Sequence, residues 1–174
     1  MPVDEAPEDD EVRETYNFAP GYNGVVYRVD VPDRADRAAH DGDEEEEVIR
    51  EGDLIAQDDE GKLRHRHKLQ AMRWGLIPSW TRRQPDHGSL LRTINCRDDS
   101  LVADRGMWTA MKRRKRCVVV CQGFYEWLKK EKKEKIPHYI KRKDGDLMYF
   151  AGLWDCVRFE GMFHHRYIYI YICM

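Results

Sequence analysis

Met-Arg-Trp-Gly-Leu-Ile-Pro-Ser-Trp spans residues 72–80 of this 174-residue chain, and Thr-Ile-Asn-Cys-Arg-Asp-Asp (93–99) and Gly-Phe-Tyr-Glu-Trp (123–127) follow it. Each segment places a polar or charged residue among apolar and aromatic neighbours. A polar group that is buried without a partner costs roughly 1–3 kcal/mol, so such residues must pair or act on a ligand. Three such segments in succession predict one shared site.

Hydrophobic patterning outside these segments predicts a β-rich α+β fold in a single domain. Helix signals are few: Asp98 or Asp99 is a favourable N-cap, and residues 108–116 form a basic helix candidate. The Asp144-Gly145 turn predicts a hairpin that joins the last two strands. The predicted strands lie within residues 25–27, 69–77, 117–121, 124–128, 138–143 and 147–154.

Charge separates an acidic first third from a basic middle. Residues 1–60 hold 21 Asp and Glu against 5 Lys and Arg, whereas residues 61–143 hold 7 against 23. We expect residues 1–14 to be an acidic disordered arm, 15–160 the domain, and 161–174 a divergent tail. Within the domain, the acidic residues 32–61 read as an exposed, largely flexible insertion.

A basic stretch interleaved with aromatic residues favours a polyanionic partner, although solvated surface is the alternative because Lys and Arg are mostly exposed. With Trp74, Trp80 and Tyr125 nearby in sequence, nucleic acid becomes the better interpretation, since bases stack on aromatic rings. No apolar run approaches the roughly 18 residues needed to span a membrane. We therefore expect no membrane partner.

Five cysteines occur without a Cys-x-x-Cys pair, which predicts a reduced, intracellular protein without a disulfide framework. His65-Arg66-His67 and the two cysteines at 117 and 121 lack the ligand spacing of structural zinc. The sequence also lacks a glycine-rich phosphate loop. We expect neither a metal nor a cofactor.

Together the three segments resemble the SOS-response-associated peptidase family, the abasic-site processing proteins also described as 5-hydroxymethylcytosine-binding proteins. The resemblance covers roughly residues 15–157. It implies a domain of mostly antiparallel strands, a monomer, and a DNA-damage response in the nucleus or another intracellular compartment. The implied partner is single-stranded DNA with abasic sites, with replication-associated proteins as further partners. The supporting segments are Tyr16-Asn17-Phe18-Ala19-Pro20-Gly21, Arg116-Cys117-Val118-Val119-Val120, Ile136-Pro137-His138-Tyr139-Ile140 and Phe150-Ala151-Gly152-Leu153-Trp154-Asp155.

Glu126 follows a strand that looks buried and lies between two aromatic residues, where desolvation would suit it to general acid/base work. An outward-facing strand glutamate is the alternative, and the pattern alone favours it. The resemblance reverses that preference, because the family's Gly-Phe-Tyr-Glu-Trp glutamate lies in the active site. Glu126 is therefore our first catalytic candidate.

Asn95 and Arg97 share a face if their segment is extended. The resemblance implies that Asn95 contacts the reacting centre and that Arg97 contacts the DNA backbone. A turn-forming asparagine and a surface arginine paired with Asp98 or Asp99 are the structural alternatives.

Arg73 and Trp74 are candidates to bind and stack on a displaced strand. The alternative for Trp74 and Trp80 is core packing, and we expect Trp80 to lie in the core. Asn17 and Pro20 match a loop that borders the site in the family.

Two departures concern the family's covalent chemistry, in which an amino-terminal cysteine closes a thiazolidine ring on the abasic sugar. Members of the family begin with Met-Cys-Gly-Arg. Here residue 2 is Pro2, and no cysteine precedes Cys96. The family's histidine segment near its carboxyl end also has no match, and His164-His165 is expected to be an exposed pair. We interpret the chain as truncated at both ends and expect it to form no thiazolidine.

These departures leave three classes open. The first is the family's abasic-site DNA binding, with a thiol-type peptidase activity. The second is a non-covalent module that binds single-stranded DNA, modified bases or junctions. In the third, the acidic arm docks protein partners, and the basic middle argues against it.

Overall fold

A computed structural model describes residues 1–8, 11–12, 15–30, 55–57, 59–103, 108–130, 134–160 and 167–173. Its helices there are α1 (His87–Leu90), α2 (Asp98–Val102) and α3 (Trp108–Arg114), and a 3-10 turn covers Leu91–Thr93. The strands are β1 (Asn23–Val29), β2 (Ile55–Gln57), β3 (Leu63–His65), β4 (His67–Trp74), β5 (Asn95–Cys96), β6 (Arg116–Cys121), β7 (Phe124–Lys129), β8 (Lys135–Ile140), β9 (Met148–Val157) and β10 (Tyr167–Cys173). The predicted β-rich α+β class is thus confirmed.

The main sheet runs in the order β4-β1-β6-β9-β10-β5, and β10 pairs a second time with β4. The pairing of β10 is antiparallel to β9 and parallel to β4, where Tyr169 lies opposite Arg73. The sheet therefore curls until five strands close into a ring. Closure of this kind removes free strand edges, which otherwise expose unpaired backbone groups. The short β5 attaches outside the ring through β10, with Ile172 opposite Asn95.

Three clusters of buried side chains lie against the sheet, the smallest made of Ile77, Val157 and Phe159. The first lies between β1, β4, β6 and β9, and Phe18, Trp74 and Phe150 pack against it. Its members are Val26, Met72, Cys117, Val119, Trp154 and Cys156. The second joins β5 and β9 to α3 through Leu76, Cys96, Met111 and Leu153, with Leu101 and Trp108 at its border. The predicted strand at 117–121 contributes to the first cluster, and the strand at 147–154 contributes to the first and the second, as their apolar runs indicated.

Pairing of the strands after residue 123 differs from the sequence-based prediction. The Asp144-Gly145 turn forms, with Gly145 at a φ of 82° and Asp144 bonded to both Arg142 and the backbone N–H of Asp146. It does not close a hairpin, however, because β8 pairs with β7 and β9 pairs with β6 and β10. The predicted pairing of residues 138–143 with 147–154 was wrong. A local turn signal fixes the turn but not which sheet the next strand joins.

The acidic arm has an ordered contact near its start. We expected residues 1–14 to be disordered, but Asp4 accepts two hydrogen bonds from Arg64, at 2.7 and 2.8 Å, and one from the backbone N–H of His67 at 2.8 Å. The bonds from Arg64, followed by that from His67, hold the pKa of the Asp4 carboxyl well below its usual range. Because the folded pKa is the lower one, this contact contributes stability at neutral pH and loses it only in strong acid.

Residues 31–54 and 58, which make up most of the predicted acidic insertion, lie outside the described residues. Its carboxyl end is a short antiparallel hairpin in which β2 pairs with β3, Ala56 lying opposite Arg64. Gly61 follows the turn between the strands with a φ of 76°, a conformation that side-chain-bearing residues rarely adopt. This hairpin places Arg64 at the corner where the chain enters β4.

Candidate functional site

The first two sequence segments meet at the carboxyl end of β4. Trp74 donates its indole N–H to the carbonyl oxygen of Ile94 at 2.7 Å. The hydroxyl of Thr93 donates to the carbonyl oxygen of Leu76 at 2.7 Å, and the Leu76 N–H returns a bond to Thr93 at 2.9 Å. These three bonds fix Asn95 next to the end of β4, so two of the three segments lie together.

The loop that contains Asn17 and Pro20 lies against the same strand end. Gly21 donates its N–H to the carbonyl oxygen of Trp74 at 2.7 Å, and the N–H of Trp74 donates to Tyr22 at 3.0 Å. The ring centroids of Phe18 and Trp74 are 5.3 Å apart. Within this loop Asn17 is exposed and Pro20 is half-buried. The predicted bordering loop therefore does lie beside Arg73 and Trp74.

Arg73 and Asn95 each carry a buried polar atom that has no hydrogen-bond partner in the described part of the chain. These atoms are Nε of Arg73 and the side-chain carbonyl oxygen of Asn95. Gly21 has a φ of 90°, which favours glycine, and a Cβ added there would lie in ordinary contact with a terminal guanidinium nitrogen of Arg73, at 3.8 Å. Leaving two such atoms unpaired is costly, and this is expected where a ligand supplies the partners.

The sequence suggested a DNA contact for Trp74 and a core position for Trp80, and the structure places the two residues the other way round. The Trp74 ring packs against the first core cluster and its N–H is already bonded, which favours the core-packing alternative. Trp80 is 64% exposed, so the expectation that it lies in the core was wrong. Its turn is held by a bond from the N–H of Thr81 to Pro78 and by a bond from the N–H of Ser79 to Asp155.

Asp155 is the buried anchor that sequence reasoning missed. It is 1% exposed and accepts hydrogen bonds from Lys115 at 2.5 Å, from the N–H of Ser79 at 2.8 Å and from the N–H of Cys156 at 2.9 Å. The ammonium of Lys115 also lies 5.3 Å from the centroid of the Trp154 ring. The sequence signal that could have indicated this role is an aspartate at the end of an apolar run. Such an aspartate is expected to be buried, and a buried carboxylate needs partners.

Arg97 lies two residues beyond Asn95, at the N-cap of α2. Its guanidinium is 2.9 Å from the carboxylate of Asp99, and both side chains are largely exposed. The surface-pair alternative therefore describes the contact that Arg97 makes here, and a backbone contact with DNA stays a prediction. The helix begins at Asp98, which confirms the predicted helix start, but its N-cap is Arg97 and neither aspartate takes that position.

Glu126 lies on the two-stranded ribbon of β7 and β8, opposite His138. The strand is exposed rather than buried, so the desolvation expected for Glu126 was wrong. Its carboxylate accepts a bond of 3.3 Å from the N–H of Trp127. Phe124, at the root of the ribbon, packs edge-on against Phe150 with ring centroids 5.3 Å apart. Phe150 packs against the first core cluster, so the root of the ribbon borders that cluster. The catalytic role of Glu126 stays a prediction.

The described cysteines for which burial is known lie in environments that disfavour the reactive thiolate. Cys96, Cys117 and Cys156 are buried, and burial raises the pKa of the half-buried Cys121 thiol. In the described ranges, His, Cys, Asp and Glu form no group of three or more that could hold a metal ion. Nor do those ranges include a helix with the length and apolarity to cross a membrane. His164 and His165 fall outside them.

Comparison with protein families matches residues 2–172 to the model of the SOS response associated peptidase, SRAP. The chain belongs to the SRAP family. This confirms the resemblance that was drawn from the three segments, and it covers the closed ring as well as the site at the end of β4.

Similar SRAP-related proteins come from distant organisms. The chain is 39% identical over 95 residues to the abasic site processing protein YMR114C of Saccharomyces cerevisiae, covering 55% of this chain and 25% of that protein. It is 45% identical over 106 residues to the abasic site processing protein HMCES of Xenopus tropicalis, covering 51% and 31%. It is 36% identical over 89 residues to the abasic site processing protein YoqW of Bacillus subtilis, covering 51% and 38%. The matched part thus spans less than half of each relative.

A crystal structure of a Bacteroides thetaiotaomicron protein shares the fold, with a TM-score of 0.54 and 27% identity. The match covers 69% of this chain and 48% of that one. The fold of this SRAP chain is therefore shared with an experimentally determined structure over most of its length.

Proposed function

We propose that this chain is the part of an abasic-site processing protein that binds single-stranded DNA at the lesion. The observation that carries the proposal is the pair of unsatisfied buried atoms on Arg73 and Asn95, two residues that the sequence had already singled out. Membership of the SRAP family and the printed names of its relatives supply the substrate class.

The proposed division of labour follows from the chemistry of each side chain. Arg73 donates to a phosphate or sugar oxygen, since its guanidinium offers five N–H donors. The carbonyl oxygen of Asn95 accepts from a hydroxyl group, of which an abasic sugar has more than an intact nucleotide. Asn17 and Trp80 are exposed at the border, where they contact the flanking strand. Glu126 and Arg97 act from the surrounding surface as acid/base and backbone contact.

We propose that DNA contact by a polypeptide of these residues is non-covalent. Closing a thiazolidine needs a free amine and a thiol on adjacent carbons, and the amines of all five cysteines lie in peptide bonds. The thiols of Cys96, Cys117 and Cys156 are also buried, which keeps them from a DNA sugar. Nuclear or other intracellular location, a monomeric state and replication-associated partners are further parts of this proposal.

Binding to a labelled single-stranded oligonucleotide tests the proposal directly. Anisotropy titrations would compare an oligonucleotide with one abasic site against the same oligonucleotide without it. We expect tighter binding to the abasic strand, with affinity that falls steeply as salt rises because phosphate contacts release counterions. Denaturing gels of the same mixtures should show no adduct. Equal affinity for both strands would contradict lesion recognition, and a heat-stable adduct would contradict the non-covalent assignment.

One observation favours a second candidate, a single-stranded DNA-binding module without lesion preference. Tyr125, Trp127 and Tyr139 are each about half exposed on one face of the β7–β8 ribbon, with the Tyr125 and Tyr139 centroids 5.0 Å apart. Exposed aromatic rings bind bases by stacking, without reading their identity. The same titrations separate the two candidates, because only this one predicts equal affinity for intact and abasic strands.

A further inference from the structure

The amino-terminal arm occupies the edge of β4 that β10 leaves open. Asp4 donates its N–H to the carbonyl oxygen of His67 at 2.8 Å, and Leu69 donates to the carbonyl oxygen of Glu5 at 2.9 Å. Glu5 and Lys68 form an isolated parallel bridge. Further along the same strand, β10 pairs in parallel with Arg73 and Trp74. The arm thus adds backbone pairing at the start of β4 and carries the Asp4 side chain to a fixed place.

At that place three N–H groups converge on one carboxylate. Arg64 donates from both terminal nitrogens, at 2.7 Å and 2.8 Å, and the backbone N–H of His67 donates at 2.8 Å. Arg64 also donates to the carbonyl oxygen of its neighbour His65 at 3.2 Å. Lys68 adds positive charge beside the arm, 2.7 Å from Asp30 and 3.9 Å from Glu5. An arginine fork combined with a backbone N–H is the arrangement that proteins use for planar and tetrahedral oxyanions alike.

We call Arg64 and the backbone N–H of His67 the Asp4 cradle. Its surroundings also suit a polar ligand. His67 stacks its ring on Tyr27, with centroids 5.1 Å apart, and its buried Nδ1 has no hydrogen-bond partner among the residues described. The carboxylate of Asp4 makes no hydrogen bond with that nitrogen. A phosphate presents more oxygens than a carboxylate and so meets more of the available donors.

We propose that Arg64 and the backbone N–H of His67 form a phosphate-binding site, which the carboxylate of Asp4 fills in cis. The ligand is a phosphate group, either of a nucleic-acid backbone or of free inorganic phosphate. A tethered competitor acts at an effective concentration on the order of millimolar. Binding of phosphate to the intact chain is therefore weakened, and a ligand with several contacts is needed to displace the arm.

The test compares two variants that remove one negative charge from the same arm. Asp4→Asn removes the carboxylate from the cradle, whereas Glu8→Gln changes an exposed side chain that makes no described contact with it. Amide resonances of the full chain, that of His67 above all, would be followed during titration with inorganic phosphate. We expect Asp4→Asn to bind phosphate roughly tenfold or more tightly than wild type. Glu8→Gln should match wild type.

A parallel titration with oligothymidylate identifies the source of the phosphate. A shift of the His67 resonance with the oligonucleotide alone assigns the site to nucleic-acid backbone, and a shift with inorganic phosphate alone assigns it to the free ion. Adding Arg64→Gln to Asp4→Asn should abolish either response. Should Asp4→Asn not fold, Asp4→Ser carries the comparison. No shift with either ligand in the folded variant, or equal shifts in wild type, would overturn the proposal.

This phosphate site stands apart from the proposed lesion site. Both titrations use ligands without an abasic sugar, so loss of lesion preference elsewhere would not move the His67 resonance. Conversely, if the His67 resonance did not shift with either ligand, the proposed DNA contacts of Arg73 and Asn95 would not be contradicted.

Discussion

Replacing Asp155 with alanine is expected to lower the free energy of unfolding by about 3–5 kcal/mol, the usual result of removing one partner from a buried ion pair. Lys115 would keep its charge at a site where its side chain is 21% exposed, and its 2.5 Å partner would be gone. The N–H groups of Ser79 and Cys156 would lose their acceptor as well. The loss therefore combines removal of the carboxylate paired with Lys115 and removal of the acceptor of two backbone N–H groups.

Urea-induced unfolding, followed by tryptophan fluorescence, measures this change. Asp146→Ala is the matched control because Asp146 is exposed and its side chain makes no described contact; it should stay within about 0.5 kcal/mol of wild type. Asp155→Asn should fall between, since the amide oxygen still accepts from backbone while the charge of Lys115 loses its counterpart. A loss for Asp155→Ala no larger than that for Asp146→Ala would show that the pair contributes little.

Asp155 also explains why the motif at residues 72–80 could be recognised from sequence while the burial of its two tryptophans could not be predicted. The motif at residues 72–80 contains no hint that an aspartate 76 positions after Ser79 fixes its turn. With the turn pinned there, Trp80 points into solvent, whereas Trp74 is drawn into the core by its bond to Ile94. Both outcomes depend on contacts between segments far apart in the chain, and no local pattern records them.

Elements with long apolar runs were predictable for a physical reason. The apolar runs at 117–121 and 25–27 both favour burial, and both form strands of the main sheet. The exposed ribbon was the reverse case. Its residues at 124–128 look like a buried strand, yet β7 is largely exposed because its only described strand partner is β8. Apolar composition predicts a strand but does not say what covers it.

The sequence predicted only some of the contacts around the candidate site. Arg73, Asn95 and the loop of Asn17 and Pro20 were predicted to lie together and do so through bonds among Tyr22, Trp74 and Ile94. The arm contact of Asp4 was not foreseen, because an acidic segment with few apolar residues predicts disorder. Its order depends on Arg64, which is 60 residues away.

Replacing Arg73 with glutamine is expected to weaken binding to single-stranded DNA by about tenfold or more, because hydrogen bonds to charged groups contribute about 1.5–3 kcal/mol. Arg92→Gln is the matched control: it removes the same charge from an exposed position on the neighbouring 3-10 turn, where it should change affinity only slightly. If Arg73 binds a phosphate, the variant should also lower the salt slope by about 0.7, the value for one contact on a single strand.

Asn95→Leu should give a different signature from Arg73→Gln. It removes the buried acceptor but no charge, so the salt slope should stay at the wild-type value while the preference for the abasic strand is lost. Anisotropy titrations of both strands at several salt concentrations measure the two quantities separately, and urea midpoints show whether either variant is destabilised. If Arg73→Gln and Arg92→Gln weakened binding equally, the unsatisfied Nε of Arg73 would mark a structural strain rather than a DNA contact, and the site would have to be sought on the exposed ribbon instead.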